Sequence, residues 1–147
     1  MPESNVDRLR AGYEALDRGD IGPVRDFLHP EAEMHDRPEI PDATTYRGWE
    51  GIVHSVRASE ETFDDFHFLP EQFLENDDKI VVIIRMVGKG RASGVPVEER
   101  IAHLWTVRDG RGVELRAYSS PADALEAAGL SRELAEATEG PQSPAGS

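Results

Sequence analysis

The chain has 147 residues, with 29 acidic side chains against 16 basic ones and a formal net charge of −13. A field of that sign repels phosphate backbones and anionic bilayers, which argues against nucleic acid and membrane as partners. Cysteine is absent, so disulfides, thiolate metal sites and cysteine nucleophiles are excluded.

This length suits one domain with one proper core. The hydrophobic share of 38% is low for a globular protein, and part of the deficit sits in residues 140–147. That segment, Gly140-Pro-Gln-Ser-Pro-Ala-Gly-Ser147, has no large apolar anchor and reads as a disordered tail. A single domain is therefore expected over residues 1–139. No run is apolar enough to span a bilayer. The start Met1-Pro-Glu-Ser-Asn lacks a basic, then apolar leader, so a cytoplasmic setting is the default expectation.

Val6, Leu9, Tyr13 and Leu16 recur at helical spacing, which predicts a helix over 6–18 with Ser4 or Asn5 as N-cap and Gly19 just past its end. A second short helix over 23–28 follows, with Pro23 in the permitted first turn and Pro30 closing it. Residues 33–36 read as a short strand and 37–45, with two prolines, as a loop. Arg47-Gly-Trp49-Glu-Gly51 leads into a third helix, whose apolar face carries Ile52, Val53 and Val56. From Phe63 the period changes to two. Phe66, Phe68 and Phe73 suggest a strand interrupted near Pro70. Asn76-Asp77-Asp78 is a turn. Residues 79–91 form a strand that is apolar on both faces from Ile80 to Ile84. Strands over 97–108 and 113–119 flank the hairpin signal Asp109-Gly110. A last helix covers 121–128, and Leu130 and Leu134 suggest a further turn. The order is α-α-β-α-β-β-β-β-α, an α+β fold. Its antiparallel sheet is closed on one face by the helices.

Several segments together carry a resemblance. They are Tyr13-Glu-Ala-Leu-Asp-Arg-Gly19-Asp20, Leu28-His-Pro-Glu-Ala-Glu-Met-His-Asp36, Tyr46-Arg-Gly48-Trp-Glu-Gly51, His103-Leu-Trp-Thr-Val-Arg-Asp-Gly110 and Val113-Glu-Leu-Arg-Ala-Tyr118. In this order the chain resembles the nuclear transport factor 2-like superfamily, and within it the SnoaL-like proteins and polyketide cyclases, over about residues 5–130. The resemblance implies a cone-shaped curved sheet, with N-terminal helices closing the concave face around a ligand-sized pocket. It also implies frequent dimerisation through the outer sheet face. It implies no single activity, because the fold hosts isomerases, cyclases, hydrolases, dehydratases and binding modules.

Two residues stand out as catalytic candidates. Asp36 ends the first strand where the related ketosteroid isomerases carry their catalytic base; its other reading is an Asx turn that caps the loop. His103 shares a strand face with Ile101, Trp105 and Val107. It precedes Trp105 by the same two residues that separate an acidic donor from an aromatic residue in those isomerases. It reads either as a donor to a carbonyl or enolate, or as a core histidine satisfied locally. Tyr13 lies on the apolar stripe of the first helix, one residue later than the isomerases' tyrosine, where this chain has Gly12. That offset turns the side chain by about a hundred degrees, and a plain core tyrosine is the favoured reading. Trp49, Phe66, Phe68, Met86 and Trp105, with Tyr13, are the candidate substrate-binding residues. No metal is expected, because no paired histidine spacing occurs and His35 and Asp36 point to opposite strand faces. No cofactor is expected either.

Two functions follow as expectations. One is a cofactor-free acid–base enzyme of isomerase or cyclase type on a hydrophobic, carbonyl-bearing small molecule, with Asp36 as base and His103 as donor. The other is a non-catalytic binding or interaction module of the same fold. A homodimer is expected as well, because the strand apolar on both faces needs cover on its second face.

Overall fold

Ser4 accepts a hydrogen bond from the Asp7 backbone N–H and opens helix α1 (Asn5–Asp17) in a computed structural model of the chain. The structure describes residues 4–35, 37 and 45–135, apart from the side chains of Ser55 and Ser59. Asp36, most of the 37–45 loop and the 140–147 tail therefore lie outside the described residues. Gly19 ends α1 with φ +82°, the left-handed conformation that glycine adopts without strain. Helix α2 (Gly22–Phe27) follows, and Gly12 of α1 packs on it so closely that a Cβ there would meet Val24 at 3.1 Å.

The remaining elements are β1 (Leu28–His35), β2 (Thr45–Arg47), α3 (Trp49–Thr62), β3 (Phe63–Asn76), β4 (Lys79–Gly90), β5 (Pro96–Arg108), β6 (Arg111–Tyr118) and α4 (Pro121–Ala127). Six strands form one sheet in the order β2-β1-β6-β5-β4-β3. All neighbours are antiparallel except β1 and β6, which run parallel. That pair is possible because the long excursion through α3 and four strands separates its members. The turn between β5 and β6 has Asp109 and Gly110 both at positive φ, as the Asp-Gly signal requires.

Three elements differ from the sequence reading. Strand β1 begins five residues earlier, at Leu28, and β2 is an added short strand paired to it. Strand β3 runs through Pro70 without a break. It is the edge strand, so the missing N–H costs no inner ladder bond, and the pairing shifts register between Pro70 and Gln72.

The inner face of the sheet presents Ile80, Val82, Ile84 and Met86 of β4 and Ile101, Trp105 and Val107 of β5 to Leu9, Tyr13, Phe27 and Ile52 of the helices. The outer face has its own cover. Val81, Ile83, Ala102 and Leu104 pack under Ala124, Leu125 and Ala128, with Leu130 and Leu134 beside them. Helix α4 thus buries the second apolar face of β4 within one chain, and Val81 and Ile83 have no exposed surface. The physical reason given for a homodimer, an uncovered second face at Ile80 to Ile84, does not hold. Beyond α4 that face carries charge instead, with Arg100 bonded to Glu71 at 2.9 Å and Arg85 3.4 Å from Glu98.

Candidate functional site

Which side of α1 faces the sheet is settled by Gly12. Its contact with Val24 turns the following residue, Tyr13, together with Leu9 and Leu16, toward the interior of the cone. Strand β5 meets them from below. Alternation along β5 sends His103 and Trp105 to the same inner face, beside Tyr13.

There the three side chains form one hydrogen-bonded chain. The Trp105 indole N–H donates to the Tyr13 hydroxyl oxygen at 3.0 Å. Tyr13 Oη lies 2.6 Å from His103 Nδ1. An indole nitrogen only donates, so the hydroxyl accepts from Trp105; among the described residues His103 Nδ1 is the one acceptor beside the hydroxyl's own proton, and donating to it satisfies the buried O–H. His103 Nδ1 is then the acceptor, and the ring proton resides on Nε2. No hydrogen bond to Nε2 is present among the described residues.

Burial pushes the His103 imidazole down to about 4, and the Arg37 guanidinium adds to the shift. It is neutral at pH 7, as this tautomer requires. Burial also drives the Tyr13 phenol well above its ordinary value, partly opposed by the Trp105 hydrogen bond, so the hydroxyl keeps its proton. Arg37 is held by Glu99 at 3.1 Å and by Ser119 at 3.3 Å.

His103, Tyr13 and Trp105 line a small inner chamber of about 40 Å³, closed by Leu9, Leu16, Val24, Met34, Ile52, Val56, Phe68 and Leu115. That is room for a few waters at most. A wider vestibule of about 620 Å³ adjoins it, lined by apolar residues such as Val53, Phe63 and Phe66 and rimmed by Asp17, Arg57, Asp64 and Arg91. The vestibule is of a size that takes small organic ligands. Leu16, Val56 and Phe68 border both spaces.

The phenylalanines reach the vestibule through a break in alternation. Phe63 and Phe66, three apart, would point to opposite faces of a regular strand. A register shift between Asp64 and His67, with Asp65 at φ +51°, inserts an extra residue. The two rings consequently stack with centroids 5.4 Å apart, and Phe66 meets Phe68 edge-on at 4.9 Å.

Of the residues singled out from sequence, Tyr13, Phe68, His103 and Trp105 come together at the chamber and Phe66 lies in the vestibule. Tyr13 is buried as a core tyrosine should be, but its hydroxyl is the centre of the hydrogen-bonded chain rather than a passenger. Trp49 and Met86 line neither space: Trp49 packs beneath the Arg25 guanidinium, and Met86 is part of the inner core. Asp36 lies outside the described residues. Sequence reasoning passed over Arg37, and it had no means to find the rim residues because the bulge at Asp65 decides what faces the vestibule.

A metal has one geometric opportunity among the described residues. Glu33, His35 and Glu114 bring ligand atoms within 4.8 Å of one another, with His35 Nε2 3.4 Å from each carboxylate. Met34 faces the inner chamber, so this trio projects from the opposite sheet face. Arg47 and Arg116 already compete for its carboxylates, and it lies apart from the pocket.

The comparisons with known proteins agree with this fold. The SnoaL-like domain family matches residues 9–115. The chain belongs to that family. Among solved structures, an NTF2-like protein from Burkholderia thailandensis E264 is 27% identical with a TM-score of 0.71, over 79% of this chain and 90% of that one. IdmH, a putative polyketide cyclase from Streptomyces antibioticus, is 23% identical with a TM-score of 0.66, over 78% and 91%. TerC, co-crystallised with polyporic acid, is 22% identical with a TM-score of 0.67, over 77% and 88%. At such identities the last two share the fold. No curated protein matches the chain. No helix of the described residues is long and apolar enough to cross a membrane.

Proposed function

We propose that this SnoaL-like protein is a cofactor-free acid–base enzyme of the isomerase or cyclase type, acting on a hydrophobic small molecule that carries a carbonyl group. The observation that carries this reading is the chain Trp105 to Tyr13 to His103 at the floor of the chamber. It fixes a neutral imidazole whose Nε2–H is the donor and has no hydrogen-bond partner among the described residues. A neutral imidazole can stabilise an enolate oxygen without giving up its proton. The apolar lining strengthens that interaction by lowering the local dielectric. Asp36 is the base in this reading, taking the proton beside the carbonyl that His103 polarises. TerC's ligand and the cyclase reading of IdmH make a ring-containing substrate the natural class.

A non-catalytic binding module is the second reading. One observation favours it: among the described residues, no carboxylate lines the inner chamber.

Proton exchange separates the two. Acetophenone is incubated with the protein in D2O, and loss of its methyl signal is followed by NMR. An enzyme accelerates exchange over buffer, and His103→Ala and Asp36→Asn each remove at least tenfold of that acceleration. Saturable binding of acetophenone without any acceleration establishes the binding module.

A further inference from the structure

The chamber and the vestibule differ about fifteenfold in volume, 40 against 620 Å³, and share three lining residues among those described. Of these, Phe68 packs its ring on the candidate donor. Its ring meets the His103 ring edge-on with centroids 5.9 Å apart, and meets Phe66 of the vestibule at 4.9 Å. It is only partly buried and belongs to edge strand β3, so one side of it has no neighbouring strand. Leu16 and Val56 complete the partition from α1 and α3.

From this we infer that Phe68 is a size filter. A substrate rests its ring in the vestibule against Phe63 and Phe66, and only a group as small as a carbonyl passes Phe68 to reach His103. The chamber volume sets the limit, because space for a few waters accepts a carbonyl and a neighbouring carbon and excludes a ring. The substrate class is narrowed accordingly. It is a ring-bearing molecule whose reactive carbonyl lies outside the ring, on a short arm, rather than a cyclic ketone. The inference rests on the role proposed for His103.

The test uses two ketones and the full chain. Acetone presents a carbonyl on a small frame; cyclohexanone presents the same carbonyl within a ring. Signals of the 13C-labelled His103 ring report arrival in the chamber, and the phenylalanine signals report the vestibule. In the wild-type protein acetone shifts the His103 signals, while cyclohexanone shifts the phenylalanine signals alone. Phe68→Ala lets cyclohexanone reach His103, with an apparent affinity at least tenfold tighter for that response. Val56→Ala opens the same partition from α3 and serves if Phe68→Ala does not fold. Equal His103 responses to cyclohexanone in wild type and opened variants overturn the filter, and so does a failure of both opened variants to admit it. No His103 response to acetone in any folded variant overturns the underlying role of His103 instead.

Discussion

The Trp105 indole N–H donates to the Tyr13 hydroxyl, 3.0 Å away, and the same hydroxyl lies 2.6 Å from His103 Nδ1. With the Trp105 N–H already accepted, the buried Tyr13 O–H finds its acceptor among the described residues in His103 Nδ1, which leaves the ring proton on Nε2.

Tyr13→Phe removes the link. It leaves the Trp105 N–H and His103 Nδ1 without their partner, and a buried polar group left unpaired costs about 1–3 kcal/mol. Urea unfolding should show that loss. The 15N spectrum of His103 should also change from a single Nε2–H tautomer to a mixture, a shift that simple destabilisation does not produce.

The depressed pKa of His103 makes stability depend on pH. In the unfolded chain the imidazole titrates near 6.5, and in the folded protein near 4. Between these values the unfolded state binds the extra proton, so stability rises with pH through this window and falls on acidification. The loss begins as pH drops below about 6.5 and is complete near 4. It amounts to about 1–3 kcal/mol, below the full value of the shift because His103 retains some exposure. Unfolding free energies at pH 7.5 and 4.5 should differ by that much more in the wild-type protein than in His103→Gln.

Arg37 adds to the depression of the His103 pKa. Arg37→Gln removes the cation, and the His103 titration midpoint should move upward when followed by NMR. An unchanged midpoint would show that Arg37 does not act on the imidazole.

Gly112 has no Cβ because Trp105 and Phe27 occupy its place. A Cβ there would sit 2.8 Å from the indole ring and 3.1 Å from the Phe27 ring. Gly112→Ala should destabilise by about 1–3 kcal/mol through overpacking. It should also displace Trp105, which shows as altered tryptophan fluorescence and a weaker response of the chamber to acetone.

Leu125 is fully buried between α4 and the outer sheet face. Leu125→Ala should cost about 2–5 kcal/mol. Leu125→Asp should detach α4 and bare Val81, Ile83 and Leu104, giving concentration-dependent association in sedimentation velocity. A variant that stays unassociated and fully stable would show that α4 is dispensable as a cover.

The helices, the turns at Asp77 and Asp109 and the inner face of β5 were legible in the sequence, because each rests on local period or on local turn chemistry. The pairing of His103 with Trp105 on one strand face followed from alternation alone. The role of Tyr13 did not. Counting along the helix gives the angle between residues 12 and 13, but not which of them looks inward; the contact of Gly12 with Val24 on another helix decides that. Sequence alternation likewise showed that β4 is apolar on both faces, yet could not say whether the second cover comes from a partner or from the chain's own last helix. The bulge at Asp65, the parallel pairing of β1 with β6 and the narrowness of the chamber belong to the same class. Composition and period are properties of neighbours along the chain and determined the α+β fold and the apolar faces of its elements. Hydrogen-bond direction, cover and cavity size depend on residues far apart in the chain, ninety positions in the case of Tyr13 and His103, and only the tertiary structure brings those into contact.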